Sequence, residues 1–205
     1  MDDNDKIIED LQYLISRITP KSDANSTDTA YNLLDMSRLV ERLRPKCKGT
    51  LNILIEIIDH LLSTGWYGWL KPVLYRIELE EIFEPRHTNT LIRVFDVLKS
   101  HPYSCDAKSF FSIKSNFYLL FSLQIVIKIL GKTDDSRSVE RLNTLIQNKG
   151  FLQSIDKFVK WAYNKRIEEG IHDELMSPNY IYIQKIAIEA LQSVSGNKNH
   201  QRINA

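Results

Sequence analysis

The charged residues offer the clearest chemistry in this sequence, because two clusters of opposite sign lie in its first half. The basic cluster comprises Arg38, Arg42, Arg44, Lys46 and Lys48. The acidic cluster comprises Glu78, Glu80, Glu81 and Glu84. A smaller basic set in the second half comprises Lys157 and Lys160. A basic face on one domain can dock on an acidic face of another, since complementary charge steers association and selects partners. The alternative interpretation is that each cluster is only a solvated face.

Charge reversal tests the docking hypothesis directly. Reversal of Arg42 and Arg44 is expected to weaken association. Reciprocal reversal of Glu80 and Glu81 is then expected to restore association. The reason is that the attraction depends on the two faces having opposite charge and not on which face is basic.

The basic cluster is also a candidate contact for the phosphates of RNA, which would give a steep dependence of affinity on salt. The formal net charge of the chain is only +1, from 27 basic and 26 acidic residues. Residues 38–48 contain no aromatic side chain on which a base could stack. RNA is therefore a secondary candidate partner.

Residues of the types that bind metals or carry catalysis are present but are not spaced for either role. No two of the histidines stand at metal-ligand spacing, and no cysteine pair accompanies them. The histidines are His60, His87, His101, His172 and His200. The glycines are isolated, so no phosphate-binding loop is predicted. Cys47, between Lys46 and Lys48, has no neighbouring histidine that would support a nucleophile. We expect no catalytic residue, metal site or cofactor, and no enzymatic activity in this chain itself.

Three aromatic residues, Trp66, Tyr67 and Trp69, stand beside Gly65 and Gly68. They are either a platform for a base or a protein partner, or buried anchors between two helices, since aromatic side chains carry large apolar area. For Trp66 we favour the anchor.

The spacing of apolar residues predicts an all-α chain, because it follows the three- and four-residue steps of helices and shows no long alternation typical of a strand. Pro20, Pro45 and Pro102 are predicted to end helices. Thr50 is predicted as an N-cap, and Gly65 as the left-handed residue after the same helix. The predicted helices are Asp5–Ile18, Thr29–Leu43, Leu51–Ser63, Trp69–Phe83, Thr88–Ser100, Val139–Asn148, Leu152–Glu169 and Pro178–Val194, and Asp106–Leu130 is predicted as one helix or two.

An internal similarity predicts two domains. Residues 51–77 and 136–163 each show an amphipathic helix, a glycine, an aromatic residue and a second amphipathic helix. At an offset of 85 residues, Gly65 aligns with Gly150 and Trp66 with Phe151. Solenoid repeats have periods of about 20–50 residues, so this longer offset suits tandem helical domains. We predict a first bundle over 1–86 that Pro85 closes, a second over 87–176, an additional C-terminal helix over 177–195, and a polar tail or linker over 196–205.

The two similar stretches resemble the fourth and fifth helices of caspase activation and recruitment domains (CARDs), which occur in tandem at the N-terminus of RIG-I-like receptors and Dicer-related helicases. The residues that carry the resemblance read ILIEIIDHLLSTGWYGWLKPVLYRI and VERLNTLIQNKGFLQSIDKFVKWAYNK. The resemblance implies two six-helix death-fold bundles that act by homotypic binding. It also implies attachment to an innate-immune or RNA-interference helicase, with an adaptor protein (CARD-containing or other) or another domain of the same polypeptide as partner. A HEAT-like helical scaffold is the alternative.

Location is predicted from cysteines, N-terminus and apolar runs. Cys47 and Cys105 are far apart, which favours a reducing compartment. The first residues are acidic and polar, unlike a secretory signal. The longest apolar run, Phe117–Ile127, is shorter than the roughly 20 residues of a membrane span and predicts a buried core helix. We expect a cytoplasmic protein with no membrane partner.

Overall fold

The computed structural model of the protein describes residues 3–23, 27–47, 49–103, 105, 110–168 and 182–203. These residues form nine α-helices and two short 3-10 helices and contain no β-strand, so the predicted all-α class is confirmed. The α-helices are α1 (Asp3–Ile15), α2 (Thr27–Arg42), α3 (Thr50–Thr64), α4 (Leu70–Ile77), α5 (Pro85–Ser100), α6 (Phe110–Leu130), α7 (Ser136–Gln147), α8 (Lys149–Glu168) and α9 (Ile183–Ile203). The 3-10 helices lie at Lys21–Asp23 and Tyr67–Trp69.

The chain divides into two compact units, Met1–Thr90 and Leu91–Ala205. The division falls within α5, a few residues after the boundary drawn from the sequence between residues 86 and 87. In the described part of the first unit there are four complete α-helices and the first residues of α5. This count does not by itself give the six helices that the resemblance implies, and the domain boundaries drawn from the sequence stay a prediction.

The first unit is built around α3, which is apolar and buried on nearly every side. Ile53, Leu54, Ile57, Ile58 and Leu61 are at most 2% exposed. Helices α1 and α4 pack on α3, while α2 packs on α1 and α4. Burying one leucine or isoleucine side chain contributes roughly 1.5–3 kcal/mol relative to leaving it exposed. Helix α3 is therefore the main source of cohesion in this unit.

Two glycines in the left-handed region bound α3. Gly65, at φ 79°, ends the helix, and the N–H of Trp66 donates to the carbonyl of Leu61 at 3.0 Å. The predicted role of Gly65 is confirmed, since glycine enters this region without a Cβ penalty. Gly49, at φ 84°, precedes the helix, and no side chain caps it. The prediction of Thr50 as N-cap was wrong, because Thr50 is the first helical residue.

The Thr50 hydroxyl instead belongs to a buried polar network. The Thr50 hydroxyl donates to the carbonyl of Arg44 at 3.0 Å and accepts from Nδ2 of Asn4 at 3.2 Å. Oδ1 of Asn4 accepts from the backbone N–H of Arg44 at 3.0 Å. Asn4 is 3% exposed and Thr50 is fully buried. The network ties the start of α1 and the segment after α2 to the start of α3.

Helix α4 is shorter than predicted, because the helix expected over 69–83 ends at Ile77. The N–H groups of Leu79 and Glu80 each donate to a carbonyl three residues earlier, which closes the helix with a tight turn. Pro85, expected to close the first bundle, instead begins α5, where its fixed φ and missing N–H suit the first turn.

The second unit is built around α6, which packs on α7 and α9. Its window Ile113–Leu130 has a mean hydropathy of 1.4, and 67% of the window is buried. By length and composition this helix could cross a membrane, and it is the one such helix in the described ranges; the buried core helix of a globular protein has the same properties. Its burial agrees with the core helix predicted from Phe117–Ile127.

Aromatic rings close the second unit. Phe158 on α8 is fully buried, and its ring lies 5.5 Å from that of Phe117 on α6 and 6.2 Å from that of Tyr103. The Tyr103 ring meets that of Phe151 edge-on at 6.2 Å, and its hydroxyl donates to the carbonyl of Leu98 at 2.8 Å. Burial raises the pKa of Tyr103, so the hydroxyl keeps the proton that it donates.

Helix α9 packs on α6 and α7. The approach is close at Gly131, just after α6, where an added Cβ would lie 2.7 Å from the Cβ of Ala190. The helix begins at Ile183 and continues to Ile203, so most of the polar tail or linker expected over 196–205 continues the helix. The predicted start of this helix at Pro178 lies outside the described residues.

The internal similarity does not extend to the backbone of the turn. Gly150 is the second residue of α8 and has no positive φ, unlike Gly65. The break between α7 and α8 falls at Asn148, with φ −80° and ψ 74°. Oδ1 of Asn148 accepts from the N–H of Phe151 at 3.1 Å and so caps α8. The alignment of Gly65 with Gly150 is a similarity of sequence and not of conformation.

Candidate protein-interaction surfaces

The basic pair Arg38 and Arg42 lies one turn apart on the same side of α2, and both side chains are exposed. Nη1 of Arg38 lies 3.1 Å from Oδ1 of Asp35 in an ion pair open to water. Within the described chain, Arg42 has no ion-pair partner. Exposed pairs of this kind contribute about 0–1 kcal/mol, so both guanidinium groups remain available to a partner at little cost.

Arg38 and Arg42 line a groove between α1 and α2 with a volume of about 410 Å³. Leu14 and Leu39, both half-buried, supply its apolar surface. Tyr13, whose side chain is 60% exposed, stands at its edge. The remaining lining residues are Asp10 and Asp35. The groove therefore combines an apolar strip with charges of both signs.

Further along the basic cluster, the structure brings Lys46 into contact with the acidic cluster of the same unit. The backbone N–H of Lys46 donates to Oε1 of Glu80 at 2.9 Å, and Nζ of Lys46 lies 2.5 Å from Oε1 of Glu81. Glu80 is 6% exposed. Lys46 has φ 61°, a left-handed conformation that is uncommon outside glycine. These contacts fasten the segment after α2 to the segment after α4.

This fastening separates the cluster residues into two groups. Glu80 is buried and accepts a hydrogen bond from the Lys46 backbone, so it is not a docking residue, and charge reversal at Glu80 would disturb the fold. Glu81 and Glu84 are exposed, and Glu84 pairs with Nε of Arg86 at 2.9 Å. Glu78 is half-buried. Arg44 is exposed, whereas Lys48 lies outside the described residues.

Sequence reasoning missed the apolar side chains that stand within the acidic cluster. Ile82 is 83% exposed and Leu79 is 47% exposed, in a segment without helix after α4. Tyr75, on the last turns of α4, is 49% exposed. The signal was present as apolar residues three apart in the run ELEEIFE. The run also fits the predicted helix over 69–83, which would bury one side of it, so the sequence alone does not indicate this exposure.

In the second unit, Lys157 and Lys160 are exposed on α8. Lys160 also lines a groove of about 380 Å³ between α8 and the start of α9. The apolar residues of this groove are Leu152, Ile155, Val159 and Ile183. Its polar residues are Asp156, Lys160, Tyr182, Gln184 and Lys185. Of the two lysines predicted as interaction residues, Lys160 therefore lines a groove.

Trp66 anchors the turn after α3. Its Nε1–H donates to the carbonyl of Thr19 at 2.9 Å, and Nζ of Lys21 lies 5.9 Å from its ring. The side chain is half-buried, as are Tyr67 and Trp69. The indole therefore holds the segment after α1 against this turn, in the manner of an anchor.

His87 is held by hydrogen bonds at both ring nitrogens. Nδ1 accepts from the backbone N–H of Glu84 at 3.2 Å, so Nε2 carries the proton and donates to Oδ1 of Asn52 at 3.0 Å. His87 is 3% exposed. Burial lowers the pKa of His87; the nearby Glu84 opposes this shift and Arg86 adds to it. The neutral imidazole thereby fixes the start of α5 to α3.

Two further histidines also bind neighbours in the chain. Nε2 of His60 donates to the carbonyl of Ile18 at 2.9 Å, and Nε2 of His101 lies 3.1 Å from Oδ1 of Asn116. Among the residues that the structure describes, no three histidine, cysteine, aspartate or glutamate side chains form a group that could hold a metal ion. Cys47 and Cys105 are half-buried free thiols.

Comparison of the chain with known protein families, with curated proteins and with solved structures finds no match.

Proposed function

We propose that this chain is a non-catalytic protein–protein interaction module of two CARD-like helical bundles in tandem, from the N-terminal region of an RNA-sensing or RNA-interference helicase. The all-helical fold and its division into two compact units support the proposal. The helix pattern around Gly65 and Gly150, which resembles that of CARDs, supports it further. The partner is a CARD-containing or other adaptor protein, or another domain of the same polypeptide.

The observation that carries this proposal is the basic pair on the groove between α1 and α2. Arg38 and Arg42 stand beside the apolar surface of Leu14 and Leu39. A partner that presents a carboxylate next to an apolar side chain matches both features, because guanidinium groups bind carboxylates through two parallel hydrogen bonds. Tyr13 adds exposed aromatic area, and tyrosine and arginine dominate the energetics of many interfaces.

One such contact is expected to be weak, because exposed ion pairs contribute little and association has a large entropic cost. Two units in one chain raise the effective concentration of the second contact once the first has formed. The module is therefore expected to bind assembled partners much more tightly than single ones. This behaviour suits a signalling module that responds to clustering.

The test is binding of the purified chain to purified adaptor CARDs, measured by biolayer interferometry. We expect at least one of them to bind, and the double variant Arg38→Glu/Arg42→Glu to weaken that binding at least about tenfold, since two attractive contacts become repulsive. The matched control is Lys132→Glu/Lys149→Glu, which makes the same change in net charge at exposed positions of the second unit. The control is expected to bind like the unmodified chain.

Two results would contradict the proposal. One is the absence of binding to every adaptor CARD under conditions in which the chain is folded. The other is binding that the α2 reversal and the control reversal weaken equally, which would reveal only an effect of net charge.

A further inference from the structure

Residues 78–84, here called the acidic loop, expose apolar side chains that the first unit does not cover. Ile82 is 83% exposed and Leu79 is 47% exposed, although both are large aliphatic residues. Glu81 and Glu84 flank Ile82, and both are exposed. A single exposed apolar residue is ordinary, but two of them close together in an acidic segment form a compact surface of defined chemistry.

The second unit carries a concave surface that is lined by apolar residues and lysines. The groove between α8 and α9, here called the α8–α9 groove, is lined by Leu152, Ile155, Val159 and Ile183. Lys160 and Lys185 outnumber the one acidic residue of the lining, Asp156. Lys185 also pairs with Glu189 outside the lining at 3.9 Å, but these two side chains are 71% and 59% exposed, so the pair is weak and Lys185 can turn toward a new carboxylate. Its volume of about 380 Å³ exceeds twice the roughly 150 Å³ of a cavity that holds benzene, so it has room for two aliphatic side chains.

We propose that the acidic loop of one copy of this chain docks in the α8–α9 groove of a second copy. This inference rests on the proposed function, because it names a second surface by which the module binds its own kind. Leu79 and Ile82 enter the apolar part of the groove, which removes their exposed area from water. Glu81 and Glu84 approach Lys160 and Lys185, and the Tyr182 hydroxyl donates to one of these carboxylates.

The ion pairs that Glu81 and Glu84 make within their own unit do not prevent this exchange. The Glu81 and Lys46 side chains are 72% and 56% exposed, and those of Glu84 and Arg86 are 58% and 62% exposed. Pairs so open to water are weak, and each carboxylate can turn toward a new cation at small cost. Glu80 stays buried and keeps the loop in place, so its apolar side chains remain presented.

The geometry has a consequence for assembly. The loop and the groove are different surfaces, so each copy has one donor and one acceptor. Two copies that insert loop into groove reciprocally form a closed two-fold dimer, whereas a head-to-tail arrangement generates a ring or an open filament. The module would therefore multiply its α2 surface along an assembly, which raises its avidity for clustered partners.

Complementation between two single-defect chains tests the proposal, with association measured by sedimentation velocity. Ile82→Asp removes the donor and leaves the groove intact, whereas Lys160→Glu/Lys185→Glu removes the acceptor and leaves the loop intact. We expect the unmodified chain to self-associate and each variant alone to associate at least about tenfold more weakly. An equimolar mixture of the two variants is expected to form a 1:1 pair that grows no further, because each copy retains one working surface.

The control is Tyr31→Asp, which places the same charge at another exposed apolar residue of the first unit, 62% exposed on α2. It is expected to self-associate like the unmodified chain. Three results would each overturn the proposal. They are an unmodified chain that stays monomeric, an Ile82→Asp variant that self-associates as strongly as the unmodified chain, and a mixture of the two variants that forms no pair. Misfolding cannot mimic the expected result, because mixing does not rescue a misfolded variant. Failure here leaves adaptor binding through α2 intact, so it is distinct from failure of the proposed function.

Discussion

The first unit is fastened by polar side chains that reach between distant segments, whereas the second is closed by aromatic rings and a glycine–alanine contact. In the first, Asn4 joins Arg44 and Thr50, and the Lys46 backbone joins Glu80. In the second, the ring of Phe158 lies between those of Phe117 and Tyr103, and α9 approaches Gly131. Both units have apolar cores, but two stretches of similar sequence pattern lie in units whose distant segments are joined by different kinds of contact.

The comparison teaches what an internal similarity of helix pattern does and does not specify. The pattern of apolar residues specifies that two helices are amphipathic and follow each other closely. It does not specify the polar contacts at their ends, because those depend on residues 30–50 positions away. Polar fastening also holds the acidic loop with charged and apolar side chains displayed, whereas the other proposed surface of the first unit lies between the helices α1 and α2.

The largest expected effect is a difference in stability loss between removing a buried aromatic ring from the second unit and removing a buried polar side chain from the first. Phe158→Ala is expected to lower the free energy of unfolding of the second unit by about 3–5 kcal/mol, because it empties a fully buried aromatic site. Asn4→Ala is expected to lower that of the first unit by only about 1–3 kcal/mol, the cost of leaving buried polar partners unsatisfied. Native-state hydrogen exchange read separately on α3 and α6 measures both.

The control for this comparison is Asn32→Ala, since Asn32 makes only a 3.5 Å contact with the carbonyl of Arg17. It is expected to leave exchange in α3 almost unchanged. Equal losses for Asn4→Ala and Asn32→Ala would show that the buried network contributes nothing to the first unit.

Substituting the two aligned glycines by alanine is expected to give smaller changes in stability, of opposite sign to each other. Gly65→Ala is expected to destabilise the first unit by about 1–2 kcal/mol, because alanine resists the left-handed conformation. Gly150→Ala is expected to stabilise the second unit by about 0.5–1 kcal/mol, because Gly150 is helical and an added Cβ meets nothing closer than 3.8 Å. Urea unfolding of the two variants, followed by circular dichroism, checks the signs. Destabilisation by both would mean that the two turns share a conformation after all.

The smallest effect concerns pH and is confined to the first unit. The pKa of His87 is lower in the folded chain than in the unfolded chain, so the neutral ring is favoured on folding. Its contribution to stability is present above the unfolded pKa, near 6.5, and is lost as pH falls through the folded value. We expect faster exchange of the amides at the start of α5 at pH 5 than at pH 7.5, after correction for intrinsic rates. The variant His87→Gln is expected to lose this dependence, and a dependence that persists in it would exclude His87 as the source.

Most helices could be predicted from the sequence, and the errors occur where distant residues decide the local structure. Periodicity predicted α1, α2 and α3 to within a few residues. The residue type at Gly65 correctly predicted a left-handed conformation after α3. The end of α4 was missed, because the chain leaves the helix where Glu80 bonds to Lys46, 34 residues away. Thr50 was assigned a local capping role, because its actual partners, Asn4 and Arg44, are brought to it only by the fold.

The candidate surfaces were predictable in composition but not in arrangement. The clusters of charge were visible in the sequence, and Arg38 and Arg42 are on one side of α2 as helical spacing requires. That Lys46 and Glu81 would meet within one unit was not visible, since no local rule links segments so far apart. The exposure of Ile82 was missed for the same reason as the early end of α4.

The most direct test of the central claim is a comparison of protein and RNA as ligands of the same basic pair. Fluorescence anisotropy of the labelled chain would be measured against purified adaptor CARDs and against single- and double-stranded RNA, each at low and at physiological salt. We predict binding to a CARD at physiological salt that Arg38→Glu/Arg42→Glu weakens at least about tenfold. Binding to RNA alone, with a steep fall in affinity as salt increases and a loss on the same reversal, would contradict the account.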